Sequence, residues 1–546
     1  MWFSIDAGAT AREGQPSVRG GRTTQALWFT SKYATLSWRL RMAFVAATQE
    51  ISLANARRPS LALIALSLNL VVTLPLAYVL NIWQDEAYTL QTTGRGLLYA
   101  FTQALSFEQN APLYFVFLTA WRHLGTGIFF LRLPSILCIA LAIALVPELA
   151  RRYIPSIDSG LVTLVAAWNP FVIWAAVEMR VYALVIVLSA LLLLTFFDAF
   201  LARRPSKLSA VAYAVCCVLA LYTQYYLGFL IAAQGLTLLL LARRAVGRFA
   251  LCAAAAALAF APMLAIVPAQ VQNFKSAFTP PSFPRAVEVL GAILARYALP
   301  LSFPHAKLAY LVVALAAVAA AVAVRKKFTL NGDGTILLIT LWTIAFFAVA
   351  SYATGVHVLD RHAASLYLPS ILSVFAIFTF MRKPLEERAA LAWSCVALLA
   401  STATLVQTYA PLAKPGDWVR ATAYLRAHES AREPIVVFEA ENALPLAYYY
   451  HGPNRIVAIP RWVDFRRYDV SRFVLHDAGD IEAALPPAQR LWLVTAGECA
   501  SANIQFGCDV LERFVAKRYR VVSDVSFYGS RVRLLRRTPA PGKPPS

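Results

Sequence analysis

The chain has 546 residues, 59% of them hydrophobic and 14% charged, with a mean hydropathy of +0.59 and a net charge of +21. A soluble chain of this size carries about a quarter charged residues, and runs such as Leu61–Leu80, Val181–Leu201 and Leu308–Val324 reach the roughly 20 apolar residues that cross a hydrocarbon layer, so a soluble globular protein is excluded. The positive charge falls largely in short clusters between apolar runs, the pattern of cytoplasmic anchors, and no long basic stripe interleaved with aromatics points to nucleic acid.

Residues 1–58 read as a basic cytoplasmic tail. The stretch before Arg39 is rich in Gly, Ser, Thr and Arg, a composition expected to be disordered. Residues 39–56 read as a surface helix, no cleavable signal pattern is present, and Met42 offers an alternative start. Basic clusters follow at Arg57/Arg58, Arg151/Arg152, Arg203/Arg204, Arg243/Arg244/Arg248, Arg325/Lys326/Lys327 and Arg382/Lys383/Arg388. Placing all of them in the cytoplasm requires an even number of spans between neighbours. Pairs fit at 61–81 with 128–149, 160–177 with 181–201, 208–225 with 227–242, 249–268 with 307–324, and 335–353 with 363–381; a last span, 389–409, leads out. The fold class is therefore a polytopic α-helical membrane protein of about eleven transmembrane helices, N-terminus inside and C-terminus outside. The aromatic segment 111–124 is too short for an easy crossing, and a crossing there would strand Arg151/Arg152 outside, so it reads as a helix lying in the interface.

Residues 59–409 thus form the membrane domain, and 410–546 change character. Helical patterns at Asp417–His428 and Glu441–Tyr450 alternate with β-rich runs at Ile435–Phe438, Arg455–Ile459, Leu491–Thr495, Tyr519–Val525 and Arg531–Leu535. That alternation predicts a small α/β domain with a mainly parallel sheet, periplasmic by the topology of a bacterial inner-membrane protein, and it contains no catalytic motif. Cys499 and Cys508 can pair there if the tail lies outside the cytoplasm. Cys138, Cys216, Cys217, Cys252 and Cys395 lie in apolar runs and read as small core residues.

The chemistry-bearing residues gather at the outer ends of spans. The first span ends in Asp85-Glu86, two carboxylates emerging where the chain leaves the hydrocarbon, positioned to deprotonate or orient a hydroxyl; an ordinary solvated helix end is the competing reading. Glu178 and Arg180 sit in a very short turn between spans, where ionisable groups are paired or functional. Being two apart, they do not face each other along a helix, so each should point to a partner on another segment. Arg361, followed by His362, and Arg132 are candidate phosphate ligands through bidentate guanidinium contacts, with interfacial snorkelling as the alternative. The long loop 269–306 is basic and suits an anionic headgroup.

The order of Asp85-Glu86-Ala87-Tyr88, Ala111-Pro112-Leu113-Tyr114, Leu131-Arg132-Leu133-Pro134-Ser135, Asn169-Pro170, Glu178-Met179-Arg180-Val181-Tyr182, Tyr222-Thr223-Gln224-Tyr225-Tyr226 and Arg361-His362 with Pro369 resembles the bacterial GT-C glycosyltransferases. Within them it is similar to the group of protein mannosyltransferases, lipid A aminoarabinose transferases and rhizobial galacturonosyltransferase-like enzymes. The likeness covers 60–380 and is weaker in the tail. It implies a polyprenyl-phosphate-sugar donor, an inverting transfer to a lipid, glycan or protein acceptor, and Asp85 as the key catalytic group with Glu86 and Glu178 as further acidic positions. Arg361, Arg180 and Arg132 would neutralise the donor phosphate, and Tyr88, Tyr114, Tyr182, Gln224, Tyr225 and His362 would line the substrate pocket. Members differ in whether they use a divalent metal, which stays open here; no other cofactor is implied. Asn110-Ala111-Pro112 replaces the His-Pro-Pro common in the family, and Tyr222-Thr223-Gln224-Tyr225 matches a His-containing turn only in outline, which bears on acceptor identity more than on reaction type. The alternatives are a lipid or glycan transporter or flippase, whose ionisable sites would lie near the midplane with an internal repeat, and a non-catalytic assembly protein displaying its tail domain.

Overall fold

The computed structural model describes residues 61–277, 281–301, 332–497, 499–501 and 504–538. The N-terminal tail and the predicted span at 307–324 lie outside these residues. Among the described residues six helices are long and apolar enough to cross a membrane: Leu61–Val79, Ile128–Tyr153, Tyr182–Leu201, Arg243–Ala265, Gly332–Thr354 and Lys383–Tyr409. Three shorter apolar helices, Lys207–Thr223, Leu227–Leu241 and Ala364–Phe378, also fall on predicted spans. The outward faces of the long and the shorter helices carry bare leucines, such as Leu208, Leu251 and Leu258, the last 78% exposed. Apolar side chains arrayed like this belong against lipid, and the chain is an integral membrane protein.

The span predicted over 160–177 is not straight. Helices Ser159–Trp168 and Pro170–Ala176 meet at a 61° bend. Proline disfavours helical geometry in the residue before it, and Asn169 is extended at φ −69°, ψ 134°. Its side-chain oxygen caps the second helix by accepting from the Phe171 N–H, while its amide donates to the Tyr297 carbonyl at 2.8 Å. The bend ends the helix early and delivers Val177–Val181 as a buried turn before the next span begins at Tyr182.

The segment predicted to lie in the interface forms the helix Leu113–Arg122. Ten residues rise about 15 Å, half the hydrocarbon thickness. Arg122 turns inward instead of reaching for water, donating to the Leu90 carbonyl and to Thr93 Oγ1.

The tail folds around a five-stranded sheet. Its strands are β1 (Ile435–Phe438), β2 (Ile456–Ala458), β3 (Arg490–Ala496), β6 (Tyr519–Phe527) and β7 (Ser530–Arg537), in the order β2-β1-β3-β7-β6; β4 (Ala500–Ser501) and β5 (Ile504–Gln505) form a separate small pair. β1 runs parallel to β2 and β3, but β7 is antiparallel to both β3 and β6. The sheet is therefore mixed where a mainly parallel one was expected. The reason is local: only Tyr528 and Gly529 separate the last two strands, and Gly529 adopts φ +74°. A connection that short permits a hairpin and no crossover helix. Cys499 and Cys508 are joined by a disulfide.

The tail's apolar core also takes in Tyr88 and Phe107 from the first loop of the membrane domain, so the two parts share a core. The joint runs through Gly416, which has φ +104°, donates its N–H to the Tyr528 carbonyl and accepts from Ser530 Oγ. A Cβ at Gly416 would stand 2.4 Å from the buried Trp418 ring. Gly416→Ala is expected to destabilise the protein by about 1–3 kcal/mol, read as a fall in the thermal midpoint in detergent. Gly247→Ala, in a helix with open space around the position, is the matched control and should leave the midpoint unchanged or slightly raised.

Candidate active site at the base of the first loop

After the first span the chain breaks at Leu80–Trp83 and re-enters a helix at Gln84–Thr92. Asp85 and Glu86 occupy its first turn, where negative charge complements the helix N-terminus. Neighbours in a helix point about 100° apart, so the two carboxylates face different surroundings. Glu86 points inward and is 0% exposed. It accepts from Arg132 Nε and Nη2 at 2.9 and 2.8 Å, from Lys414 Nζ at 2.7 Å and from the Met179 N–H at 3.0 Å. Lys414 also pairs with Glu178 Oε1 at 2.8 Å, and the Trp83 indole N–H donates to Glu178 Oε2.

The result is a buried chain, Arg132–Glu86–Lys414–Glu178, with balanced formal charge. Burial works to raise the Glu86 carboxyl, but Arg132 and Lys414 outweigh it and hold it down to about 2. Burial dominates at Glu178, raising it to about 7 against the pull of Lys414, with the Glu86 charge adding to the rise. Arg132, read from sequence as a phosphate ligand, gives its remaining donors to the carbonyls of Ala77, Leu80 and Asn81. A guanidinium has five N–H groups, so none remains for a phosphate in this arrangement. Glu86 and Glu178, read as catalytic, are both sealed from solvent.

Asp85 is different. Its side chain is 18% exposed, and Arg180 Nε and Arg361 Nε each lie 4.0 Å from its Oδ2. The Tyr182 hydroxyl donates to the same oxygen at 3.4 Å. Arg180 is oriented through Nη1 by Glu108, Thr89 Oγ1 and the Asp85 carbonyl, while its Nε is buried with no hydrogen-bond partner among the described residues. Burial raises the Glu108 carboxyl despite Arg180. Arg361 is 32% exposed, sits over the Trp83 ring at 5.7 Å, and makes no hydrogen bond among the described residues. Beside it, burial and then the Arg361 charge hold the His362 imidazole down to about 3, so the ring is neutral near pH 7; its Nδ1 lies 3.2 Å from the His357 carbonyl. A partly open carboxylate facing guanidinium groups with donors to spare can orient a hydroxyl and hold a phosphate at one place.

The tail closes the site from the other side. The Tyr88 hydroxyl donates to Glu441, Gln84 donates to Asn442 Oδ1, the Ile82 N–H donates to the Tyr449 hydroxyl, and the Lys414 N–H donates to Asn81 Oδ1. Tyr88, Phe107, Phe465 and Tyr468 pack edge to face and tilted. Burial pushes the Glu441 carboxyl up to about 7, against its hydrogen bond from Tyr88. None of Trp83, Glu108, Lys414 and Glu441 was singled out from sequence. For Lys414 one signal existed, a lone basic residue in the polar linker that follows the last span.

Tyr114 is buried beside Phe115, and Tyr182 stacks on Trp174 with centroids 5.0 Å apart. Gln224 and Tyr225 are not joined to Asp85, Arg180 or Arg361 by any hydrogen bond among the described residues; it is the next residue, Tyr226, that packs on His362. Among the described residues no three His, Cys, Asp or Glu side chains converge to hold a metal ion.

The architecture aligns with the crystal structure of ArnT from Cupriavidus metallidurans in the apo state at a TM-score of 0.52 and 13% identity, over 86% of this chain and 97% of that one. The chain has the GT-C fold. A second ArnT structure from the same organism, bound to undecaprenyl phosphate, aligns at a TM-score of 0.38 and 12% identity, again over 86% and 97%; the fold assignment rests on the first. No protein-family model and no curated protein matches the chain by sequence.

Within this GT-C fold the buried charges give two predictions. Lys414→Met leaves Glu86 and Glu178 buried with a single guanidinium between them, a loss on the order of 3–5 kcal/mol, expected as a large fall in thermal midpoint. Glu441 has a carboxyl raised in the fold from 4.5 to about 7. Its contribution is fully present below its unfolded value and is lost as pH rises through about 7. The wild type should therefore lose thermal stability relative to Glu441→Gln on going from pH 4.5 to pH 8, and parallel curves for the two proteins would exclude this.

Proposed function

We propose that the chain is a membrane glycosyltransferase that moves a sugar from a polyprenyl-phosphate donor to an envelope acceptor (lipid A, polysaccharide or protein) on the periplasmic face of the bacterial inner membrane. The observation that carries the reading is the partly open carboxylate of Asp85, with Arg180 and Arg361 both 4.0 Å from the same oxygen. In an inverting transfer an acceptor oxygen attacks the anomeric carbon, its proton passes to a base, and the bond from that carbon to the phosphate oxygen breaks. Asp85 is the base or the group that orients the acceptor hydroxyl. Arg361 and Arg180 neutralise the departing phosphate, where fixed cations contribute most because the charge there grows along the reaction. Glu178 acts at one remove, through the groups it holds. Tyr88, Tyr182 and His362 belong to the pocket wall.

The GT-C fold supports this reading, and a lipid-linked donor suits a site at the ends of membrane spans. The disulfide between Cys499 and Cys508 favours an oxidising compartment for the tail. The charged groups cluster where spans begin or end, after Val79, near Ile128, after Ala176 and after Tyr409, which favours a transferase over a transporter with a midplane site.

Asp85→Asn should insert and keep the wild-type thermal midpoint while transfer falls at least about a hundredfold, the usual scale for a lost general base. Mass spectrometry of envelope lipids and glycans from a deletion strain, complemented with wild-type or Asp85→Asn protein, checks this. The missing mass increment identifies the sugar and the molecule that loses it identifies the acceptor. Full restoration by Asp85→Asn would remove Asp85 from the chemistry.

A further inference from the structure

The tail touches the site through more than apolar contact. Lys414, in the linker that follows the last span, is held at its own N–H by Asn81 and reaches Glu86 and Glu178 with its ammonium group. Glu178 has one oxygen on Lys414 and the other on the indole N–H of Trp83, at 2.5 Å. The Trp83 ring is therefore fixed at its polar edge by a carboxylate that is itself fixed. Trp83 is only partly buried and immediately precedes the helix that carries Asp85. Over its face, 5.7 Å from the centroid, stands the Arg361 guanidinium, within the distance at which the ring quadrupole attracts a cation. Arg361 has no hydrogen bond among the described residues, so the ring and the Asp85 carboxylate are what orient it. A long, partly exposed arginine samples many rotamers unless a surface organises it.

We infer that Trp83 and Lys414 are positioning residues for the donor phosphate: Lys414 holds Glu178, Glu178 holds the Trp83 indole, and the ring seats Arg361 beside Asp85 with hydrogen-bond donors left for a phosphate. This rests on the donor reading of Arg361 proposed above. It makes the linker of the tail a determinant of donor affinity, although the linker contacts no substrate itself.

The test uses the purified full-length protein in detergent, with undecaprenyl phosphate as the probe and its dissociation constant as the readout, each variant first passing a size-exclusion check. Trp83→Leu should weaken binding roughly tenfold. Trp83→Phe keeps a ring but gives up the contact with Glu178 and should fall between Trp83→Leu and wild type. Lys414→Met should weaken binding, and Lys414→Arg should recover most of the loss. The decisive arm is the pair with Arg361→Ala: once Arg361 is gone, adding Trp83→Leu should cause no further loss, because residues that act through one another are not additive. Trp83→Leu binding like wild type while Arg361→Ala does not would overturn the inference and leave the donor reading standing, as would an additive loss in the double variant. Wild-type protein that binds no undecaprenyl phosphate would remove the donor reading, and the positioning role with it.

Discussion

Four charged side chains lie out of water in one line of contacts, Arg132 to Glu86 to Lys414 to Glu178, and much of the site is arranged around keeping them there. Each ion costs several kcal/mol to desolvate, and only close opposite charges with filled hydrogen-bonding sites offset that cost. The chain meets the requirement with parts from distant places in the sequence. The guanidinium comes from the second span and one carboxylate from the helix after the first. The other carboxylate comes from the turn beyond the bent span, and the ammonium group from the linker into the tail. These segments are obliged to meet, because separating them would strand a buried charge. The same obligation fixes Asp85, one residue from Glu86 on a helix whose inward face is locked.

This separates two jobs that a pair of adjacent carboxylates leaves merged. Glu86 is wholly engaged and serves as the bolt. Asp85, turned by one helical step, is left partly open among guanidinium groups whose donors are incompletely used. Glu178 and Arg180 are divided in the same way: the carboxylate faces Lys414 and Trp83, and the guanidinium faces Glu108 and Asp85. Each does point to a partner on another segment, as their spacing required.

The tail is part of this construction. Its core includes Tyr88 and Phe107, its helix and linker supply Glu441, Asn442, Tyr449 and Lys414, and five of the hydrogen bonds on the start of the Asp85 helix come from beyond residue 410. A soluble domain hung from a membrane bundle by a flexible linker would share none of these. Here the linker itself is buried and hydrogen-bonded at Lys414 and Gly416.

The membrane class, the places of the six long apolar helices among the described residues, the polar tail and the neighbourhood of Asp85 were legible in the sequence, because they follow from local properties: the length of apolar runs, the siting of basic clusters, and strand and helix periodicity along a continuous stretch. Two cysteines in the polar tail left a disulfide open, conditional on where the tail lies, and only the folded tail shows Cys499 and Cys508 joined. What the linear order could not decide was how a charge is spent. Arg132 looks as available as Arg361 until three carbonyls and a carboxylate are seen to take all its donors, and Glu86 looks as reactive as Asp85 until the helix turns it inward. Lys414 lies more than three hundred residues from Glu86, and its one signal, a lone basic residue in a polar linker, names no partner. The hairpin that made the sheet mixed, and the bend at Asn169-Pro170, had local causes that were present in the residues but weaker than the periodicities around them. Those periodicities record only the faces an element presents; which of the many buried faces and charges meet depends on packing across the whole chain, and that exists only in the folded protein.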